Sequence, residues 1–437
     1  MEMFSNFIEK KIAPVANRLS RQKYLQALQN TFLALVPFFT IGSFALVITS
    51  PPMDYTTMKG GWLCTFFKGW QMLADALGPV LNYVFLITMP LMALYVAVGI
   101  GYFLAKHHKM QTIVPVFVTA ASFFIAASMS AKGELSFTYF DATGLFTALL
   151  VSILSFECYR FLVEKRIGYI KLEGGAIPPA LVDSIGNLIP VLIVLITVSV
   201  VNNIILSLTG NGLPVLMTMI MSPFVNMVDN VWGVLILAVV VMLFWWFGIH
   251  DSVITSALDP FFYSNLGANA TAFAAGTTAV ALPYVVTTPF WWNFMAIGGS
   301  GATLGLAVLA MTSKSKQIKT IGRIAIIPSL FNINEPLIFG LPLMYNPVMM
   351  IPFVLVMPLN GVLTYFAMST GLVARTFAYA SWNMFCPIAA LIDTLDIKAL
   401  ILVILLIIVD IIIYLPFFKV YEKQKINEEV LESLEEK

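Results

Sequence analysis

Two ionisable side chains, His250 and Glu335, lie within long apolar stretches of the 437-residue sequence. Only 11% of the residues are charged, so a titratable group inside such a stretch needs a physical reason. A carboxylate and an imidazole are groups that bind a hydroxyl or remove its proton. We therefore expect Glu335 and His250 to act on a ligand hydroxyl. The competing interpretation of His250 is a structural histidine at a helix end.

The sequence around Glu335 favours a binding site over a continuous helix. Asn332, Asn334 and Pro336 surround the carboxylate, and proline interrupts helical backbone. Unwound backbone inside a membrane protein offers peptide groups and amide side chains to a polar ligand. Asn332 and Asn334 are therefore candidate binding residues. For Asp410, within the last apolar run, we favour a structural hydrogen-bonding role.

Tryptophan side chains supply flat apolar faces on which a sugar ring stacks. Trp291 and Trp292 fit better in the interfacial belt, where tryptophans near helix ends usually lie. Trp246, close to His250, is a candidate binding residue. Trp382 is another, because Asn383 lies beside it in a segment rich in helix breakers. Amides, carboxylates and aromatic faces together suit a neutral polyhydroxylated ligand better than an ion.

Several other patterns predict no chemistry. Gly298-Gly299-Ser300-Gly301 follows no predicted strand, which disfavours a nucleotide-binding loop, and we expect Gly301 and Gly305 to serve helix packing. The three histidines lack zinc-protease spacing, and the three cysteines are far apart in the sequence. The formal net charge of +1 gives no basic field for nucleic acid. We expect no metal, no cofactor and no nucleic-acid partner.

The elements that position these residues are predicted from hydropathy. With 59% hydrophobic residues, the chain is neither a soluble globular protein nor a disordered one. Apolar runs long enough to cross a bilayer of about 30 Å recur along it, which predicts an all-α polytopic membrane protein. The clearest spans are 31–49, 79–104, 112–129, 144–163, 177–208, 231–250, 291–311, 346–372 and 399–418, with a weaker one at 251–268.

Lysine and arginine positions predict the orientation of these ten transmembrane helices. Cytoplasmic loops are enriched in these cations. With the N-terminus inside, ten crossings place 19 of the 24 lysines and arginines on the cytoplasmic side. This asymmetry predicts that both termini are cytoplasmic.

Two apolar regions, 324–345 and 373–392, contain too many prolines and polar residues to span the membrane as lipid-facing helices. We expect both to form re-entrant hairpins around a site, since irregular backbone at membrane depth survives where it is buried or lines a cavity. Amphipathic and surface segments complete the prediction: an interfacial helix at 1–30, outer-surface helices at 61–76 and 213–230, and a cytoplasmic tail at 419–437.

Three segments resemble a known family. The strongest match is Ile333-Asn334-Glu335-Pro336-Leu337-Ile338-Phe339-Gly340-Leu341-Pro342. It resembles the signature of the membrane (EIIC) component of phosphotransferase-system sugar permeases, in the lactose/cellobiose/diacetylchitobiose branch. Phe247-Gly248-Ile249-His250 and Ile177-Pro178-Pro179-Ala180 match two further family segments in the same order. The region around Trp382 resembles the family more loosely.

The resemblance implies a homodimer and a division of labour along the chain. An N-terminal transmembrane half, 31–210, would form the dimer contact. A C-terminal half, 211–418, would hold the sugar between two hairpins. In such relatives the residues matching Glu335 and His250 contact the sugar, and Leu181, in the second matching segment, is a further expected substrate contact.

The resemblance also implies group translocation of a disaccharide. The sugar O6 would receive phosphate from a phosphocysteine on a separate EIIB protein, which EIIA supplies in turn, and diacetylchitobiose or cellobiose is the preferred substrate. We expect no phosphorylated residue in this chain, since Cys386 lies at membrane depth. The alternative is an ion- or proton-coupled secondary transporter in which Glu335, His250 and Asp410 relay protons. An intramembrane enzyme ranks last because no nucleophile–base pair is recognisable.

Overall fold

The computed structural model describes residues 22–128, 135–170 and 185–435. The regular elements in these parts are helices, as the sequence predicts. The α-helices are α1 (Lys23–Thr49), α2 (Trp62–Leu86), α3 (Met92–His107), α4 (Ile113–Ser128), α5 (Leu145–Glu164), α6 (Leu188–Thr209), α7 (Leu213–Val228), α8 (Val231–Trp246), α9 (Ser252–Ala274), α10 (Leu304–Met311), α11 (Lys316–Leu330), α12 (Glu335–Gly340), α13 (Met350–Ser369), α14 (Cys386–Thr394) and α15 (Ile397–Glu435).

Six helical segments of the described part are long and apolar enough to cross a membrane. One of them joins α2 and α3 through a short 3-10 turn at Met89–Leu91. The number rises to seven if α7 and α8, which are bent by 76° at their junction, form one broken span. The helices α9 and α10 fall outside this set, so the expected total of ten crossings remains a prediction. Most of the expected interfacial helix at 1–30 lies outside the described residues.

The described chain divides into two compact units. One contains the described residues up to Pro37, which begin at 22, and those of Leu86–Val225; the other contains Phe38–Phe85 and the described residues from Asn226 onward. The helix α1 passes from the first unit to the second at Pro37. We call them the α3–α7 unit and the α8–α15 unit.

Small residues allow close helix packing in the α3–α7 unit. Ala93 and Ala97 of α3 are fully buried in a cluster with Phe123 and Phe140. A methyl group on Gly101 would come within 2.2 Å of the Thr119 hydroxyl of α4. The backbones of α3 and α4 therefore approach closely, as small residues permit between apolar helices.

The α8–α15 unit has one large apolar core, built on α8, α13 and α15. In α10, a methyl group on Gly305 would lie 2.8 Å from the backbone nitrogen of Ile411 in α15. Gly305 thus has the helix-packing role predicted for it.

Asp410, fully buried in α15, accepts a 3.2 Å hydrogen bond from the Asn360 amide.

Residues 291–311 do not form the single spanning helix that their apolar character suggested. A π-helical segment, Phe290–Met295, is followed by turns at 296–303 before α10 begins. Three glycines in these turns have positive φ: Gly298 (77°), Gly299 (97°) and Gly301 (90°). These angles suit glycine and disfavour continuation of a right-handed helix, which corrects the expectation that Gly301 packs inside a helix.

Side chains supply hydrogen-bond partners to two other non-helical stretches of backbone in the α8–α15 unit, 282–287 and 373–381. Asn269 of α9 donates 2.8 Å hydrogen bonds to the carbonyls of Tyr284 and Thr376 and so joins the two stretches. Buried Asp393 accepts a 2.7 Å bond from the Ala380 N–H and another from the Asn293 amide. Buried backbone groups need such partners when they leave a helix, and polar residues on distant helices supply them here.

The C-terminal helix α15 also fixes the start of α11. Glu422 accepts 2.7 Å hydrogen bonds from the Ser313 hydroxyl and the Lys314 N–H. Two helical turns further along α15, Glu429 accepts a 2.7 Å hydrogen bond from the Ser315 hydroxyl. The tail at 419–437, expected as a solvated cytoplasmic end, is therefore tied to α11 through these carboxylates in its described part.

Candidate functional site

A glycine turn at the end of α8 places His250. The N–H groups of Gly248 and Ile249 donate 2.9 Å bonds to the carbonyls of Trp245 and Phe244. With Gly248 at φ 79°, this is the Schellman motif that ends many helices. The turn ends α8 and places His250 two residues before α9 begins.

Asp251 anchors the imidazole on one side. The Nδ1 atom of His250 lies 2.8 Å from Asp251 Oδ1 and 2.9 Å from the Ser252 hydroxyl. The Asp251 side chain is 7% exposed, whereas the His250 side chain is 51% exposed. The side-chain hydrogen bonds of His250 to described residues all use Nδ1. Nε2 is thus available to a ligand.

Asp251 also ties His250 to the glycine-rich turns at 296–303, because its other oxygen, Oδ2, accepts a hydrogen bond from the buried Ser300 hydroxyl. Asn334 reaches the same turns from the α12 side. Its amide donates 2.8 Å bonds to the Ser300 carbonyl and the Thr303 hydroxyl. The 296–303 turns therefore connect the histidine to the Asn-Glu-Pro segment.

Asn332 holds a second set of backbone groups. Its side-chain oxygen accepts a 2.8 Å bond from the Gly298 N–H and a 3.1 Å bond from the buried Cys386 thiol. Its amide donates a 2.6 Å bond to the Trp382 carbonyl. Asn332 adopts a left-handed backbone conformation at φ 59°, which asparagine tolerates better than most residues. Asn332 and Asn334 both position backbone, and their direct contact with a ligand stays a prediction.

The segment held by Asn332 and Asn334 places Glu335 at the surface. It is the first residue of α12, directly after the non-helical residues 331–334. It is exposed, and its carboxylate makes no hydrogen bond within the described residues. It lies close enough to His250 to act on that imidazole electrostatically. The structure thus brings the two leading candidates together, each with unsatisfied hydrogen-bonding capacity.

The remaining candidates differ in their placement. Trp246 is buried and donates a 3.1 Å bond from Nε1 to the Asn346 carbonyl, which fixes the ring beside the turn that carries His250. Trp382 is half-buried, and its carbonyl is the one that Asn332 holds. Leu181 lies outside the described residues.

Sequence reasoning gave no role to Ser300 and little to Asp251. The signal that could have identified them was the run of three glycines and a serine in an apolar stretch. Glycine readily adopts positive φ and so indicates a turn, and a turn exposes backbone groups to side chains. A methyl group on Gly299 would lie 2.4 Å from the Asn334 side chain. The arrangement can bind a hydroxyl between an outward carboxylate and an anchored imidazole and can remove its proton.

Comparisons with known proteins identify the family of the chain. The sequence model of the family described as "Phosphotransferase system, EIIC" matches residues 29–356. The cellobiose-specific EIIC component of Geobacillus stearothermophilus is 33% identical, over 98% of this chain and 96% of that protein. The lichenan permease IIC component of Bacillus subtilis (strain 168) is 30% identical over 98% of this chain and 96% of its own length.

A solved structure gives the same result for the fold. The transporter ChbC, the IIC component from the N,N'-diacetylchitobiose-specific phosphotransferase system, superimposes with a TM-score of 0.86 at 31% sequence identity. The match covers 97% of this chain and 99% of ChbC. The alternative of an ion-coupled transporter receives no support from these relatives. The chain is an integral membrane protein of the phosphotransferase-system EIIC family of sugar permeases.

Proposed function

We propose that this permease binds a β-linked disaccharide and presents its O6 hydroxyl to a phosphorylated EIIB protein during uptake. The observation that carries the proposal is the pairing of Glu335 and His250. Both side chains are exposed, and Glu335 is close enough to act electrostatically on the His250 imidazole, while buried hydrogen bonds fix the turns that carry them. Such preorganised groups orient a substrate without paying for rearrangement.

In the proposed reaction, Glu335 accepts the O6 proton as O6 attacks the phosphorus of the EIIB phosphocysteine. The O–P bond forms, the S–P bond breaks, and the EIIB thiolate leaves. His250, held through Nδ1 by Asp251, orients the sugar with Nε2. The sugar stacks on Trp382, with Trp246 and Leu181 as further contacts and Asn332 and Asn334 close to the other hydroxyls.

The proposal also covers the oligomeric state of the protein and its arrangement in the membrane. The protein acts as a homodimer in the bacterial plasma membrane, with ten crossings, two re-entrant hairpins and both termini in the cytoplasm. The N-terminal half forms the dimer and the C-terminal half carries the sugar. The phosphate arrives from EIIA through EIIB.

Two relatives support the choice of sugar. Their names specify cellobiose in one case and N,N'-diacetylchitobiose in the other. Both are β-linked disaccharides of glucose-type rings, and a cleft that excludes or admits an acetamido group distinguishes them.

A competition assay tests the proposal. Purified protein is loaded with labelled cellobiose or labelled diacetylchitobiose and challenged with cellobiose, diacetylchitobiose, lactose and maltose. We expect one of the two β-linked glucose-type disaccharides to displace label at the lowest concentration and maltose, which is α-linked, to fail. Equal displacement by maltose would contradict the proposed substrate class.

A further inference from the structure

A cavity of about 490 Å³ lies in the α3–α7 unit, away from the residues of the candidate site. Its lining combines apolar and polar side chains from the ends of helices: Met110, Gln111, Val114, Tyr159, Val163, Arg166, Tyr169 and Asn187. The proposed function does not use this cavity.

Arg166 supplies its positive charge. It follows the C-terminus of α5 in a left-handed turn, at φ 54°. The residue is exposed, and the guanidinium has no hydrogen-bond or ion-pair partner among the described residues. The nearest carboxylate in sequence, Glu164, is engaged with Arg160 through two oxygens at 2.7 and 2.8 Å. A free guanidinium in a cleft binds phosphate through two parallel hydrogen bonds.

The cavity lies beside the ends of α4, α5 and α6. Its residues come from the chain just before and within the first turn of α4, the last turns and end of α5, and the residue preceding α6. Several apolar side chains of α4 and α5, two helices that contribute to the lining, are largely exposed: Phe117 (63%), Ile113 (55%) and Phe161 (52%). Exposed apolar faces of membrane-spanning helices suit acyl chains, which favours a lipid as the occupant of the cavity.

We propose that this cavity binds the headgroup of an anionic phospholipid. Arg166 pairs with the phosphate, the amide of Gln111 and the phenol of Tyr169 contact the glycerol hydroxyls, and Val114 and Val163 contact the upper acyl chain. Basic pockets between helices near the cytoplasmic surface are suited to such headgroups, and the predicted orientation places this end of α5 in the cytoplasm. The volume is large enough to hold a phosphoglycerol headgroup.

The test titrates the purified, delipidated full-length protein with phosphatidylglycerol and, separately, with phosphatidylcholine, and counts bound lipid by native mass spectrometry. We expect wild type to retain phosphatidylglycerol and to prefer it over phosphatidylcholine by at least about fivefold. Arg166→Gln should lose that preference. Arg323→Gln, which removes an exposed arginine from α11 in the other unit, should keep it.

A second variant separates a lost charge from a damaged fold. Val163→Trp fills the cavity and leaves Arg166 in place, so it should also lower phosphatidylglycerol retention, while sugar binding by both variants reports that the protein is folded. Equal retention by Arg166→Gln and Arg323→Gln would overturn the proposal. So would displacement of phosphatidylglycerol by inorganic phosphate or glycerol phosphate at equal concentration, because it would assign the cavity to a soluble anion.

Discussion

At the residue scale, the site rests on a division between exposed and buried polar groups. Glu335 and His250 are exposed, and Asp251, Ser300 and Asn334 are buried and bonded to one another or to backbone. Buried polar groups that are fully bonded fix geometry, since breaking them leaves unpaired atoms. The exposed side chains of Glu335 and His250 are available to bind the ligand.

Replacing Glu335 by glutamine should separate binding from chemistry. The amide has nearly the same size and still hydrogen-bonds a hydroxyl, but it accepts no proton. We expect phosphorylation of the sugar by phosphorylated EIIB to fall by about 100-fold or more, while the affinity for the sugar falls less. Glu164→Gln, an exposed carboxylate of α5, is the control. Wild-type phosphorylation by Glu335→Gln would remove Glu335 from the reaction.

Asp251 is expected to act through His250, and a double-mutant cycle measures this. Asp251→Asn and His250→Gln are made singly and together, and the dissociation constant of the disaccharide is measured for each. Because Asp251 anchors Nδ1, we expect the two losses to overlap, with a coupling of about 0.5–3 kcal/mol. Purely additive losses would show that the 2.8 Å contact plays no part in binding.

Part of this residue pattern could be predicted. Glu335 and His250 are conspicuous because ionisable groups are rare in so apolar a sequence, and Asn332 and Asn334 because they flank Glu335. The sequence could not show that both amides turn towards the 298–303 backbone. Their partners lie more than 30 positions away in the chain, and hydrogen bonds at that separation leave no local pattern.

At the element scale, interruptions of helices matter more than the helices themselves. The expected break before Glu335 is found at 331–334. This stretch contains Asn332 and lies between Pro328 and Pro336. The break at 296–303 was not expected, because its flanks are as apolar as a spanning helix and hydropathy does not register backbone angles. Both breaks place side chains against turned backbone, and together they frame the site.

Gly299 gives a direct test of the 296–303 turns. Alanine there would keep a positive φ of 97° and bring a methyl group within 2.4 Å of Asn334. We expect Gly299→Ala to lower both the melting temperature of the purified protein and its sugar affinity.

Gly276→Ala is a matched control for Gly299→Ala. Gly276 has φ 96° in the same unit, and a methyl group there meets nothing within 4 Å. Both variants carry the same backbone strain, so the difference between them isolates the clash with Asn334. If the two alanine variants lose equal sugar affinity, the packing of Gly299 on Asn334 does not position the site.

At the scale of the whole molecule, composition was sufficient to predict an all-helical membrane protein, and family membership agrees with it. The number of crossings was harder to predict. Helices such as α4, with 16 residues, and α10, with 8, are short for a bilayer. Short and broken helices are stabilised by protein neighbours, which hydropathy of a single segment does not include.

The proposed function requires this permease to deliver its sugar in phosphorylated form. The most direct measurement reconstitutes the protein in proteoliposomes, with EIIA, EIIB and a phosphoryl donor enclosed or omitted, and identifies the internal sugar by mass spectrometry. We predict that sugar phosphate accumulates only when phosphorylated EIIB is present and that Glu335→Gln abolishes it. Accumulation of unmodified disaccharide against its gradient, driven by protons or sodium without the partner proteins, would contradict the account.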